Sequence, residues 1–251
     1  MGAHLLLPIF LLLAGCSSST PAPLAIYAAT SLTDAFTELA ELFQVQHPNR
    51  PVQLHWAGSQ VLRLQIEQGA PADVYASANV AHMRTLQARG HVGPESVFAH
   101  NTLVVIVPRD RDPSLTTFAD LPRAQRIVMG TEDAPVGRYA RQVIHKAEKR
   151  LGADFARRVR SQVVSHESNT RQVRAKVALG EADAALVYAS DAHGFAAVRT
   201  IAIPSPLNVS ATYQMGIITG TERAESARAW VDFVTSAPGR TVLSKHGFVL
   251  P

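Results

Sequence analysis

Short apolar segments of strand length alternate along this chain with longer segments whose apolar residues repeat at helical spacing. In the first third, the strand-like segments are Leu24–Ala29, Val52–Trp56 and Asp73–Ala76. The helical pattern after the first of them stops at residues 47–49, where His-Pro-Asn breaks a helix. Because strands joined by a helix pair in parallel through right-handed crossovers, this alternation predicts an α/β fold with a mostly parallel sheet flanked by helices.

The alternation starts again at residue 103, which predicts a second α/β unit. Leu103–Val107 is apolar throughout, as expected of a strand buried on both faces. The later strand-like segments are Arg126–Gly130, Val163–Val164, Ala184–Tyr188, Val198–Ile203 and Thr212–Thr219, and helical patterns at 224–236 and 239–246 end the chain. Two such units form two lobes, and the expected ligand site is the cleft between them.

The charge distribution excludes a strongly basic nucleic-acid binder. The chain has 251 residues, with 24 Lys and Arg against 20 Asp and Glu, and its net charge of +4 is spread along the sequence. The basic run Arg157–Arg160 lies in a helical pattern and is interpreted as a solvated helix face. The histidines lack metal-ligand spacing, so no site with protein ligands to a metal cation is expected.

The N-terminus predicts export. Leu5–Leu13 is apolar apart from one proline and too short to span a bilayer. Leu13–Cys16, Leu-Ala-Gly-Cys, resembles the lipobox of bacterial lipoproteins, which implies a signal peptide over 1–15, lipid on Cys16 and a tether over 16–23. No Lys or Arg precedes the apolar run, so an ordinary signal peptide with an incidental cysteine stays open. Cys16 is the single cysteine, which argues against structural disulfides.

Four predicted helices begin with a small hydroxyl residue or a bare backbone amide. These starts are Thr30–Thr33, Gly58–Gln60, Ala134–Gly137 and Ser168–Arg171. The first N–H groups of a helix are unpaired and carry about half a positive elementary charge, so each start can hold an anion. Four that converge would offer about +2 of partial charge. The pattern therefore predicts a binder of a small oxyanion that needs no Lys or Arg.

Several segments, in the same order, resemble the periplasmic molybdate-binding proteins of ABC importers, which have the type II solute-binding fold. The segments are Ala28–Ala35, Gln65–Ala78, Gly180–Ala192 and Arg240–Phe248, and the likeness spans about Leu24 to Val249. The resemblance implies a two-lobed protein of the periplasm or cell envelope that captures molybdate, and tungstate with it. It would deliver the anion to an ABC transporter permease in the cytoplasmic membrane. We expect no cofactor and a monomer.

We expect lobe 1 to comprise residues 24–104 and 210–251, and lobe 2 to comprise residues 105–209. The resemblance places the site where these lobes meet. It implies that Ser31 and Ser59 donate hydroxyl and amide hydrogens, that Val136 and Thr170 donate backbone amides, and that Tyr188 donates its hydroxyl. Alanine is common in the family where Val136 stands, but only the amide of this residue takes part. Such donors suit a dianion whose oxygens only accept hydrogen bonds.

Other interpretations of these residues stay open. Ser31 and Ser59 are also typical helix N-caps, and Tyr188 is also typical of a core. The Thr170 hydroxyl either reaches the ligand or caps its helix. Sulfate or another tetrahedral oxyanion is an alternative ligand. A hydrolase using Ser59 is disfavoured because no Gly-x-Ser-x-Gly elbow surrounds that serine, so no enzyme activity is expected.

Overall fold

The structure, a computed structural model, describes residues 22–110 and 114–251, so the predicted signal peptide and Cys16 lie outside the described residues. The strands are β1 (Leu24–Ala29), β2 (Val52–Ala57), β3 (Val74–Ser77), β4 (Val92–Pro108), β5 (Ile127–Gly130), β6 (Val163–Glu167), β7 (Ala184–Tyr188), β8 (Val198–Ala202) and β9 (Ser210–Ile218). The helices are α1 (Thr33–Gln46), α2 (Ser59–Glu67), α3 (Val80–Ala88), α4 (Pro135–Leu151), α5 (Ala153–Ser161), α6 (Thr170–Ala178), α7 (Ala189–Ala192), α8 (Ala224–Thr235) and α9 (Ala237–Lys245). Short 3-10 turns lie at Thr30–Leu32 and Phe118–Arg123.

The strands form one sheet in the order β2-β1-β3-β9-β4-β7-β5-β6, with β8 also paired to β4. β1 is parallel to β2 and β3, and β5 is parallel to β6 and β7, as strands joined by helices require. β4 and β9 run antiparallel to their neighbours and join the two parallel sets. The predicted α/β class, with sheets flanked by helices, is confirmed.

The prediction for β4 was incomplete. A strand was expected only from Leu103, but β4 begins at Val92. Gly93 and Pro94 are typical of turns and conceal this part of the strand, which pairs with β9 through two register shifts. From Leu103 onward, β4 pairs with β7 and β8 instead. This change of partners separates a first half of the sheet (β1, β2, β3 and β9) from a second half (β5 to β8).

Aromatic packing fixes α1 against the first half of the sheet. Trp230 of α8 is fully buried and meets Phe36 and Phe43 of α1 edge-on, with ring centroids 5.6 and 5.4 Å apart. Edge-to-face pairs of this kind stabilise a core beyond the area they bury. They hold the start of α1 beside the end of β1.

Within residues 22–110 and 114–251, each helix is too short or too polar to span a bilayer.

Candidate oxyanion-binding site

The ends of two sets of three parallel strands meet at one pocket between the two halves of the sheet. The lining residues follow β1, β2 and β3 on one side and β5, β6 and β7 on the other. They are Ala29, Thr30, Ser31, Gly58, Ser59, Ala78, Ala134, Pro135, Val136, Asn169, Thr170 and Tyr188. None of these lining residues is charged. The structure thus brings together all five residues that the sequence singled out, and their role in binding stays a prediction.

Ser59 is held so that its hydroxyl proton is available to the pocket. It is the first residue of α2, and the N-cap is Gly58, which has no side chain to cap with. Ser59 is 1% exposed, and its Oγ accepts a hydrogen bond from the Ala78 amide at 3.1 Å. A hydroxyl that accepts in this way still has its own proton to donate. The alternative that Ser59 is an N-cap is wrong.

Ser31 has the same arrangement in the 3-10 turn that follows β1. Its Oγ accepts a hydrogen bond from the Tyr213 hydroxyl at 2.9 Å. Burial raises the pKa of Tyr213 well above its ordinary value, so this hydroxyl stays protonated and donates. The Ser31 proton is thereby left for an acceptor in the pocket, and the turn makes no side-chain cap. Tyr213 was not anticipated from the sequence, because it lies 182 residues away.

The start of α4 presents backbone amides. Pro135 is the first helical residue, where its lack of an N–H costs nothing, and the N-cap Ala134 makes no side-chain hydrogen bond. The amide of Val136 therefore has no side-chain cap as a competitor. Gly137 allows the helix to begin this close to β5, because a Cβ there would overlap the carbonyl oxygen of Thr131.

Thr170 lines the pocket, but its hydroxyl has a partner within the protein. Asn169 caps α6 by accepting from the Gln172 amide at 3.1 Å. The Thr170 Oγ1 donates instead to Oδ2 of Asp191 at 2.9 Å, so the hydroxyl neither caps the helix nor faces a ligand. Asp191 is 2% exposed, and its burial raises its pKa to about 6. Asp191 lies in the segment Gly180–Ala192, and its role was not predicted from the sequence.

Tyr188 places a buried hydroxyl at the pocket. It ends β7, is 1% exposed, and packs against Tyr213 with ring centroids 5.7 Å apart. Within the described residues its hydroxyl has no hydrogen-bond partner. Burial raises the pKa of Tyr188 well above its ordinary value, which keeps the hydroxyl neutral and able to donate. A core role explains the ring but leaves the hydroxyl unexplained.

The pocket is therefore lined by the hydroxyl-bearing residues Ser31, Ser59 and Tyr188 and by the first residues of α2, α4 and α6. Thr30, Ala78 and Asn169 also line it and were not predicted as site residues. Ala78 lies within a quoted motif, and its part in orienting Ser59 depends on a contact across 19 residues. Chemically, the site is suited to a small, fully ionised oxyanion, since such a guest only accepts hydrogen bonds.

Comparison with known proteins agrees with this geometry. Residues 24–249 match the family of bacterial extracellular solute-binding proteins. The chain is 33% identical to the molybdate-binding protein ModA of Mycobacterium tuberculosis (strain ATCC 25618 / H37Rv) over 253 residues, which cover 95% of this chain and 93% of that protein. It is 28% identical to the putative ABC transporter substrate-binding lipoprotein YvgL of Bacillus subtilis (strain 168), covering 96% and 95% of the two chains.

The same agreement holds for the fold. The solved structure of the Azotobacter vinelandii periplasmic molybdate-binding protein superposes with a TM-score of 0.79 at 20% identity, over 91% of this chain and 99% of that chain. The family match extends over nearly all of the described residues and includes every strand that delivers a donor to the pocket. The chain therefore belongs to the bacterial extracellular solute-binding proteins.

Proposed function

We propose that this protein captures molybdate, and tungstate with it, and delivers the anion to the permease of an ABC importer. The observation that carries the proposal is a pocket at six strand ends whose lining offers hydroxyl and amide donors and no charged side chain. Ser31, Ser59 and Tyr188 bind through hydroxyls, and Val136 and Thr170 bind through amides. Molybdate and tungstate have the same charge and nearly equal size, so one set of donors serves both.

The donors are sufficient for a useful affinity. A hydrogen bond to a charged group contributes about 1.5–3 kcal/mol. Five such bonds sum to about 7.5–15 kcal/mol, against roughly 8 kcal/mol for a micromolar complex, so bonds near the middle of that range leave a margin for desolvation and for ordering the site. Sulfate is smaller than molybdate, and donors fixed at helix starts cannot all follow it inward. We therefore expect sulfate to bind more weakly.

The site supports binding rather than hydrolysis. A serine nucleophile needs a base within hydrogen-bond reach, and the lining residues of the pocket include no histidine or carboxylate. The Ser59 Oγ accepts a hydrogen bond from the Ala78 amide, which donates and cannot take a proton from the serine. We infer that Ser59 is a ligand donor and not a catalytic residue.

The cellular setting is part of the proposal. The protein acts outside the cytoplasm as a monomer, anchored through lipid on Cys16, with residues 24–104 and 210–251 as one lobe and 105–209 as the other. The change of β4 partners between Thr102 and Leu103, together with the start of β9 at Ser210, supports this division.

Metabolic labelling with palmitate tests the anchor: wild type is expected to incorporate the label, and Cys16→Ser is expected to lose it.

Calorimetric titration tests the ligand. Molybdate and tungstate are expected to bind with one-to-one stoichiometry, and sulfate and phosphate are expected to bind at least tenfold more weakly, a difference of about 1.4 kcal/mol. The double variant Ser31→Ala/Ser59→Ala is expected to lose most of the affinity, and Lys176→Ala, which lies on an exposed face of α6, is the matched control. Tight sulfate binding without molybdate binding would reassign the protein to sulfate, and no binding of any of the four anions would refute the proposal.

A further inference from the structure

Three polar side chains connect the two halves of the sheet beside the pocket. The first is Arg171, the second residue of α6 in the second half. Its Nε donates to the carbonyl oxygen of Thr30 at 3.2 Å, and its Nη2 lies 2.5 Å from Oδ2 of Asp34 in α1. Burial opposes ionisation of Asp34, but the hydrogen bond and charge of Arg171 outweigh it and lower the pKa of Asp34. The pair is therefore ionised at neutral pH.

The other two connections run from the first half to the second. Gln60 of α2 donates from Nε2 to the carbonyl oxygen of Ser168 at 2.6 Å. His82 of α3 contacts the carbonyl oxygen of Asp133 through Nε2 at 3.0 Å. Burial lowers the pKa of His82, so the ring is neutral at pH 7 and donates from Nε2.

Each of the three carbonyl acceptors directly precedes a pocket residue in the chain. The carbonyls belong to Thr30, Ser168 and Asp133, and the residues that follow them are the pocket residues Ser31, Asn169 and Ala134. Because a peptide unit is planar, a bond that fixes its C=O also fixes the direction of the next N–H. Each cross-connection thus orients a segment that lines the pocket from the opposite half.

We propose that Gln60, His82 and Arg171 form a latch that holds the two halves closed around the anion, which makes them positioning residues that set its residence time. The inference rests on the proposed function. Contacts that form only when the halves close slow the escape of the ligand more than its entry. The latch needs close approach, since a Cβ on Gly58 would lie 2.5 Å from the Ser168 carbonyl oxygen.

The latch can also open, because two of its contacts are weakened by their surroundings. Oε1 of Gln60 is buried in the closed form without a hydrogen-bond partner among the described residues. Opening would expose this oxygen to water and relieve its desolvation, which opposes the gain from the Nε2 bond. The Arg171–Asp34 pair is partly exposed, with side-chain exposures of 28% and 55%, so it too is weakened by solvent. A latch of this kind closes on a ligand and still releases it.

Dissociation rates test the latch. Radiolabelled molybdate is bound to the full chain and chased with unlabelled molybdate. Gln60→Ala and Arg171→Ala are each expected to release the label about twofold to fivefold faster, with little change in the association rate. The matched control Lys176→Ala removes a cation from the same helix, where it pairs with Glu181 within the second half, and is expected to release label at the wild-type rate.

Asp34→Asn distinguishes the latch from a purely electrostatic effect on the anion. If Asp34 acts only by repelling the anion, removing its charge should slow release. If Asp34 acts by holding Arg171 in the latch, removing its charge should speed release. Faster release from Asp34→Asn therefore supports the latch. Wild-type release rates in Gln60→Ala, Arg171→Ala and Asp34→Asn would overturn it while leaving the proposed function intact.

Small-angle scattering provides a test that does not depend on release rates. With molybdate at saturating concentration, the triple variant Gln60→Ala/His82→Ala/Arg171→Ala is expected to have a larger radius of gyration than wild type, because its halves lose the contacts that hold them closed. Equal radii of gyration with bound molybdate would overturn the latch. If wild type binds no molybdate, the proposed function fails, and the latch, which rests on it, fails with it.

Discussion

Replacing Tyr188 with phenylalanine should weaken ligand binding and raise the free energy of unfolding. The hydroxyl is buried and lacks a partner within the described residues, which costs the free protein about 1–3 kcal/mol. Phenylalanine keeps the ring packing against Tyr213 and removes that cost. The variant should therefore be more stable by about 1 kcal/mol or more, a rise in Tm of about 2–4 °C for a chain of this size.

Binding should change in the other direction. One hydrogen bond to the anion contributes about 1.5–3 kcal/mol, so the Kd for molybdate should rise about 10- to 150-fold. Thermal unfolding of the ligand-free protein and calorimetry with molybdate measure the two effects. Tyr27→Phe is the matched control, since Tyr27 is buried in β1 but does not line the pocket. A destabilised Tyr188→Phe variant with unchanged Kd would refute the assignment of its hydroxyl as a ligand donor.

Three further substitutions test neighbouring parts of the site. Ser59→Ala should raise the Kd for molybdate about 10- to 150-fold, as calorimetry would measure, and normal binding would remove Ser59 from the site. The same variant should lower the free energy of unfolding in urea by about 1–3 kcal/mol, because the Ala78 amide loses its acceptor. Burial raises the pKa of Asp191 from 3.8 to about 6, so wild type should lose about 3 kcal/mol of its free energy of unfolding as the pH rises from about 4 to 6. Asp191→Asn has no carboxyl to ionise and should not show this loss. A difference between the two proteins that stays constant with pH in urea unfolding would contradict this. Asp191 contacts the pocket residue Thr170, and its protonation removes a negative charge near the anion, so wild type should bind molybdate more tightly as the pH falls through about 6, whereas Asp191→Asn should show no such change in calorimetry. Asp73→Ala should lower the free energy of unfolding by about 3 kcal/mol, since this buried carboxylate accepts a hydrogen bond from Arg223 at 2.8 Å, yet the folded variant should keep its Kd for molybdate.

Local patterns in the sequence are sufficient for the parallel parts of this fold and for the four helix starts that line the pocket, whereas the five site residues were expected from the resemblance to a family and their role stays a prediction. The apolar runs at β1, β5 and β7 and the helical periodicity between strands depend on residues near each other in the chain. In the same way, a serine after Gly58 or an amide after Pro135 can be located from its immediate neighbours. The ends of parallel strands lie on one edge of a sheet, which is why separate motifs could be expected to meet.

Only the tertiary structure decided what each donor does. The first part of β4 is stabilised by β9, more than a hundred residues away along the chain, and its own Gly and Pro gave no strand signal. The proton of Ser31 is directed by Tyr213, and the Thr170 hydroxyl is taken by Asp191. Hydrogen-bond partners of this kind come together because the fold places them there, since a hydroxyl can serve equally as a cap, a core group or a ligand donor.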